Sequence, residues 1–572
     1  MRIDEGAGAV RRRWSVRSLR PCIAGATAVL GFRTLGTLAC GSNSESVDAR
    51  SDASSIVVYG SPYGDSGCDA TKAPKDDPCV LADAYGVFVA PASSGGDDTG
   101  DGTMARPFAT FGKALSSARS NVFVCNGTYT ENVTVTAAVH VYGGLACPID
   151  GGAANWAYSG GAAMVSASSA ASPALLVTGA GDSGVTLEDL TFVTPNEPEQ
   201  GWDPVTGDGT SSIAGFIATS TVTLTRVTLI AGTGSDGAPG APGATMPNYP
   251  LLVDGGANTA PSGTLAGSAP DGAPGAAGGS IACTNGTSST GGTGGSISES
   301  PPSGADGMRG TPASSASQGI QNGAGGSLAD PDDPSALDGG CPGNPGADGL
   351  PAPGGSAAVV YGSLSGGSWA PSPGGDGQAG GTGQGGGGGS GGAATDFGVP
   401  LWYPGSGGAA GGCGGTGGAG GRGGGASIAL VSSDSVVMLV NCTLHAGQGG
   451  NGGDGGPGQP GQGGGNLTGG TLALENPDTA PCAGGAGGNG AGGSGGAGGT
   501  AGLSAGIVYT GTAPSYDPAT TILPGLAGSP GQPGTGGAHG ANLAGAYGLT
   551  TGSDGNAGVP GLGSAPVLVL GL

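Results

Sequence analysis

Three stretches of the chain carry one hydrophobic pattern. They read "GVTLEDLTFV" from residue 184, "TVTLTRVTLI" from 221 and "VVMLVNCTLH" from 436. Val185, Val222 and Val437 begin the pattern, and apolar residues follow two, five and seven positions on. These are Leu187, Leu190 and Phe192; Leu224, Val227 and Leu229; and Leu439, Cys442 and Leu444. Steps of two are strand alternation, which turns every second side chain to one face. The step of three between them predicts a bend or bulge that returns the next strand to the inward phase. Nine residues before each pattern stands another apolar residue, Leu176, Ile213 or Ile428. Three stacked rungs of one solenoid account for this repeat, each burying its apolar face on the next.

Polar, glycine-rich inserts leave the chain at the same place after each pattern. The first is "TPNEPEQGWDPVTGDG"; the second starts "AGTGSDGAPGAPG" and the third "AGQGGNGGDGGPGQPG". All are expected on one side of the solenoid. Further strands are predicted at 356–362 ("SAAVVYG"), 504–511 ("SAGIVYTG") and 565–570 ("APVLVL"). Upstream, "YGVFVAP" is the first clear strand. Phe108, Phe111, Ala114, Leu115 and Ala118 then recur at helical spacing and predict a short amphipathic helix. Strands are expected at 122–125, 133–135 and 139–142.

The inserts have a period of their own. Glycine occupies every third position from Gly484 to Gly502, from Gly405 to Gly423 and from Gly374 to Gly392. Shorter rows run from Gly449 to Gly464 and from Gly525 to Gly540. An extended helix with three residues per turn would carry such a row as one bare edge, against which another backbone can lie closely. Many triplets hold a second glycine, giving a second bare edge. A flexible linker has no need to keep this phase, although glycine-rich chains are commonly flexible. The inserts are therefore expected as a bundle of ordered, polyproline-II-like segments, as disorder, or as a collagen-like trimer. No flat ladder of threonines is evident.

Composition sharpens the picture. The 572 residues include 135 glycines, 4% aromatic and 10% charged residues, too few large side chains for a conventional core throughout. The net charge is −24, and seven of the 16 Lys and Arg residues precede residue 40. Nucleic acid is thereby excluded as a partner, since it requires basic clusters. The first forty residues hold a basic head (Arg11, Arg12, Arg13, Arg17, Arg20) and a short apolar run at 21–32. This is an export-signal pattern. "TLAC" at 37–40 resembles a bacterial lipobox, which implies lipidation at Cys40 and attachment to a membrane through an N-terminal lipid only. Leu38 sits one place later than that family prefers, and Arg33 interrupts the apolar run.

Cysteine usage suits an oxidising compartment. Cys68 and Cys79 bracket a short polar loop that a disulfide would staple. No paired CxxC motif indicates zinc, and the pairing of Cys283, Cys341, Cys413, Cys442 and Cys482 stays open.

Asp101-Gly102-Thr103, Pro107-Phe108-x-Thr110-Phe111-x-x-Ala114 and the strand at 122–129 together resemble the opening of right-handed parallel β-helix proteins of the pectate-lyase-like superfamily. The resemblance covers about 60 residues and implies a short helix that caps one end of the coil. One turn of such a coil matches the separation of Cys125 and Cys147. Strands one turn apart lie ~4.8 Å from each other, within reach of a disulfide. The resemblance therefore implies a Cys125–Cys147 bridge between rungs. The glycine-rich parts resemble the repeats of mycobacterial PE proteins, whose characteristic head is absent. They also resemble the polyglycine-II bundles of a springtail antifreeze protein and phage tail-tip adhesins.

Candidate chemistry is sparse. β-helix lyases need a strong base beside acid-bound calcium, and glycosidases need paired carboxylates. Glu188 and Asp189 are adjacent, and Arg226 occupies the repeat position of Asp189, so an acid and a base could meet on neighbouring rungs. Solvated outer-face charges are the ordinary reading. Asp97, Thr99 and Asp101 echo a calcium loop, but Phe108 stands where its closing acid belongs. "GGNGGD" at 449–454 echoes a calcium-binding repeat without iteration. His140, His445 and His539 lack partners at ligand spacing, and Asp330, Asp332 and Asp333 fall in a Pro-rich loop. No residue is assigned a catalytic, cofactor-binding or metal-ligating role.

The expected fold is all-β: a short right-handed parallel β-helix with an N-terminal cap helix and long glycine-rich insertions. Its parts are a signal and lipobox (1–40), a tether (41–55), and the first β-helix part with its cap (56–231). Then come one insertion (232–425), a rung (426–445), a second insertion (446–503), and last rungs with a glycine-rich C-terminal part (504–572). The expected function is that of an exported, lipid-anchored, non-catalytic cell-surface protein. Its role would be adhesive, structural or matrix-binding, with extracellular polysaccharide or surface proteins as partners. The alternative is a carbohydrate-active β-helix enzyme, a lyase or hydrolase acting on extracellular polysaccharide.

Overall fold

The computed structural model describes residues 68–541 and 552–572, apart from internal stretches at 70, 148–155, 170–171, 246–273, 300–301, 305–306, 313–342, 366, 397–398 and 467–482. The signal, lipobox and tether, with Cys40, lie outside them, as do Cys341, Cys482 and the Asp330–Asp333 loop. Among the described residues the chain is nearly all β, with one α-helix, Phe111–Ser116.

Three parallel ladders organise the strands. The first runs through Val87–Val89, Asn121–Cys125, 139–142, 185–188, 221–225, Val436–Val440 and Ser515–Tyr516. The second runs through Gly127–Thr130, Ala163–Ser166, Leu190–Val193, Thr228–Ile230, Thr443–His445 and Thr521–Leu523. The third contains Val133–Val135, 175–178, 212–218, Ser427–Ser433, Ser504–Thr510 and Val567–Gly571. The chain visits the ladders in this order, pass after pass.

The repeat in the sequence maps onto this stacking. Val185, Val222 and Val437 lie in register, as do Leu187, Leu224 and Leu439, and Phe192, Leu229 and Leu444. All are buried in one cluster that extends from Val87 to Ile507. The three-residue step is a left-handed bend. Asp189, Arg226 and Asn441 occupy equivalent positions with φ of 54°, 54° and 53°. Each returns the next apolar residue to the inside.

Three expectations need correction. Leu176 does not share a level with Ile213 but pairs with Phe216, because Gly179–Gly184 add an irregular detour with three positive-φ glycines. The 356–360 stretch is not a strand; instead Gly362–Ser365 and Ser368–Pro371 form an antiparallel hairpin. Its Trp369 covers the outer side of the third ladder, against Ile213, Phe216, Ile428 and Val508. The helix is also shorter than its spacing suggested. Phe108 precedes it and exchanges backbone hydrogen bonds of 2.9 Å with Phe88 and Ala90. Thr110 caps the helix through Lys113 N (3.2 Å), while Glu131 accepts from Phe111 N and Gly112 N.

The inserts all leave after the second ladder and return at the third. Buried serines close their stems. Ser212, Ser427 and Ser504 stand in register at the start of third-ladder strands. Ser427 Oγ donates to Gly232 O (2.7 Å) and Ser504 Oγ to Gly447 O (2.8 Å), the second residue after each second-ladder strand.

The glycine rows form a bonded array. Residues 484–502 lie at its centre, and three consecutive residues show the scheme. Gly493, Ser494 and Gly495 donate to Gln459, Gln378 and Asn556, each at 2.9 Å. Their carbonyls accept from Gly537, Gly418 and Gly355 at 2.8, 2.9 and 2.9 Å. Six different segments thus meet one, satisfying the backbone without sheet. Two of the three donor assignments recur every third residue along the run, while the third reaches 553–562 only from Gly492 onward and Asn489 N donates to Asp348 Oδ1 instead. A Cβ on Gly484, Gly487, Gly490, Gly493, Gly496 or Gly499 would collide with a carbonyl of the 405–425 segment. The second glycine of each triplet changes neighbour midway. Gly485 and Gly488 face 343–355, whereas Gly492, Gly495 and Gly498 face 525–540.

Proline marks the periphery. The central runs 405–425 and 484–502 contain none, but Pro239, Pro242, Pro457, Pro460 and Pro560 occupy exposed positions of outer segments. Proline has no N–H to give, so it fits only where no neighbour needs one. Aspartate and asparagine cap other outer N–H groups: Asp236 accepts from Asn451 N (2.6 Å), Asp454 from Gln532 N (2.7 Å) and Asn451 from Ser529 N (2.9 Å).

Candidate functional site

The bend between the first and second ladders gathers the charges that the sequence singled out. Adjacent strand residues face opposite sides, but Asp189 and Arg226 both adopt the left-handed conformation, and Glu188 and Asp189 meet the same guanidinium. Arg226 Nε donates to Asp189 Oδ1 at 2.7 Å, and Nη2 donates to Asp189 Oδ2 and Glu188 Oε2 at 2.8 Å each. Tyr158 Oη lies 3.4 Å from Asp189 Oδ1.

This arrangement is poorly suited to proton abstraction. The Asp189 carboxylate, hydrogen-bonded to the guanidinium, holds Arg226 protonated well beyond its ordinary range. Burial raises Glu188, opposed by Arg226. Tyr142, in register with Glu188, is pushed up to about 12 by burial and by the Glu188 charge. An arginine clamped by two acids is a structural tie, the common outcome for a partly buried triad.

The calcium-like loop is likewise occupied by its own backbone. Asp97 accepts from Thr99 N (2.9 Å), Asp98 from Ala109 N (2.9 Å) and Asp101 from Thr103 N (3.3 Å). The "GGNGGD" residues Asn451 and Asp454 serve as the caps described above. Cys68, Asp77 and Cys79 cluster closely enough to hold a metal, but both thiols are consumed in a disulfide. Among the described residues the disulfides are Cys68–Cys79, Cys125–Cys147 and Cys283–Cys413, with Cα separations of 5.8, 5.6 and 5.6 Å. Cys442 is a buried free thiol. His539 Nδ1 finds Asp554 Oδ1 at 2.6 Å across two outer segments.

The structure also brings together a surface that was not seen in the sequence. The outward side of the second ladder carries one row in register: Thr128, Met164, Thr191, Thr228, Thr443 and Thr521. Beside it lie Thr130, Ser166, Val193, Ile230, His445 and Leu523. None of the twelve positions is acidic, lysine or arginine, and none is aromatic apart from the His445 ring. The alternation of buried and accessible residues along these strands leaves both rows at the surface. Inserts of up to nearly two hundred residues separate Thr228 from Thr443, which hides the row in the sequence. Its only signal was the threonine that precedes Phe192, Leu229 and Leu444 in every repeat. The chain matches no family model, no curated protein and no solved structure.

Proposed function

We propose that the chain is an exported, non-catalytic surface protein with an adhesive, structural or matrix-binding role, held to a membrane by a lipid on Cys40. In this reading the three parallel ladders are the faces of a short right-handed β-helix, and the Phe111–Ser116 helix caps its first rungs. The glycine-rich inserts are a polyglycine-II-type bundle projecting from one side.

The observation that carries the reading is the six-neighbour pairing around 484–502. It supports a stiff body whose cohesion needs few large side chains, and whose outer segments are guarded by proline and aspartate. Such a body suits presentation of surfaces outside the cell better than substrate turnover. The alternative, a carbohydrate-active enzyme, would have to draw on the Glu188–Asp189–Arg226 cluster, whose acids and base are spent on one another.

Surface proteolysis of intact cells, with metabolic palmitate labelling of wild type and Cys40→Ala, tests export and anchoring. Label in the wild type alone, with protease access, is expected; no label in either removes the anchor. Turnover of a polyuronide panel that disappears in Arg226→Ala would replace this reading with the enzymatic one.

A further inference from the structure

The uncharged outer face of the second ladder is where this protein departs most from its own surface chemistry. The chain carries a net charge of −24, yet this face has no acid, lysine or arginine across six strands. Charges stop at its borders, at the Asp189–Arg226 bend on one side and Glu131 and Glu197 on the other. The hydroxyls of Thr128, Thr191, Thr228, Thr443 and Thr521 make no hydrogen bond within the protein among the described residues. Each threonine presents a methyl and a hydroxyl together, and register repeats the row at strand spacing, ~4.8 Å, over about 24 Å in all, interrupted once by Met164.

We infer that this face binds a neutral, ordered polysaccharide, a deepening that rests on the matrix-binding reading above. Three considerations select the occupant. A polyanion would be repelled by the acidic chain as a whole, and a polycation would be drawn to the acidic flanks and inserts instead of this face. Buried hydroxyls need partners, and a neutral sugar polymer supplies hydroxyls and CH groups at regular intervals along its length. The face lacks the aromatic platforms on which a single sugar stacks. Affinity must then come from many weak, repeated contacts, which favours an insoluble fibre over a soluble fragment.

The test is co-sedimentation of the full chain with microcrystalline cellulose, chitin and curdlan, and with calcium pectate and alginate as acidic counterparts. Retention is expected on at least one neutral polymer, not on the acidic ones, and not displaced by soluble oligosaccharides of the same sugar. Thr228→Asp should weaken it at least tenfold, and Thr228→Val, which keeps shape and strand preference, about threefold. Thr521→Asp, at an exposed position of the last strand, gives a second reading if Thr228→Asp misfolds. Retention on neutral polymers that neither Asp variant alters would overturn the assignment to this face while leaving matrix binding intact. Retention on acidic polymers alone would overturn the neutral occupant. Retention on none would overturn both this inference and the matrix-binding reading.

Discussion

The stacked ladders and the glycine array solve the same problem with opposite means. In the ladders, backbone groups pair between strands, and side chains such as Leu187, Leu224 and Leu439 fill the interior. In the array the interior is backbone with small side chains such as Ala491, Ser494 and Ala497. Gly493, Ser494 and Gly495 spend all six of their N–H and C=O groups on six different segments. The ladders therefore tolerate changes of shape that conserve volume, whereas the array tolerates no added atom on the row Gly484–Gly499 that faces the 405–425 carbonyls. Hydrophobic burial carries one part and hydrogen bonding at close backbone approach carries the other.

Substitutions should separate the two. Gly493→Val places side-chain atoms against the Thr416 carbonyl; backbone cannot yield as a side chain does, and a loss on the order of 4 kcal/mol is expected. Urea unfolding should show it as a large fall in midpoint. Leu224→Ala, inside the ladders, opens a cavity and should cost about 3 kcal/mol. The same leucine replaced by methionine should cost less than half of that, a tolerance the array does not share.

Smaller effects are expected at the bend and the stems. Arg226→Ala leaves Asp189 and Glu188 together at a partly exposed site, which solvent screens, so about 1–2 kcal/mol should be lost. Ser427→Ala removes the donor to the buried Gly232 carbonyl and should cost about 1 kcal/mol. Both are read by thermal unfolding against the wild type.

The pH dependence is the mildest of these effects. Burial raises Glu131, Glu188 and Glu197 above the ordinary glutamate value of 4.5. The folded chain then binds these protons before the unfolded one, so stability rises as pH falls through the raised values, and the gain is complete below about 4.5. Asp203 and Asp517 behave oppositely, since backbone N–H groups hold them below 3.8. Their contribution is present above 3.8 and disappears as pH falls beneath it. The melting temperature should climb as pH falls from 7 toward about 4.5 and drop below about 3.8. Glu188→Gln should flatten the climb.

Legibility followed the same division. The ladders were readable because alternation and the three-residue bend leave a residue-by-residue trace, as at Val185, Val222 and Val437. Reading failed at Leu176, where Gly179–Gly184 change the count without changing the pattern. The glycine rows announced a three-residue period, but not which segments meet, because glycine has no side chain to specify a partner. The partners are set by the stems at Ser212, Ser427 and Ser504 and by where proline forbids contact. The threonine row was partly visible for a third reason: the repeat aligned Thr191, Thr228 and Thr443, but Thr128, Met164 and Thr521 join the row from strands that do not carry the repeat. The charge cluster was half legible, since the repeat placed Arg226 beside Asp189 but not the left-handed bend that brings in Glu188.

Amide hydrogen exchange across 484–502 distinguishes a bonded array from a loose glycine chain. If six neighbouring segments satisfy this stretch, amides such as those of Gly493, Ser494 and Gly495 should exchange as slowly as those of Leu187 and Leu224 in the ladders. Exchange at the rate of an unstructured glycine chain throughout 484–502 would contradict the account.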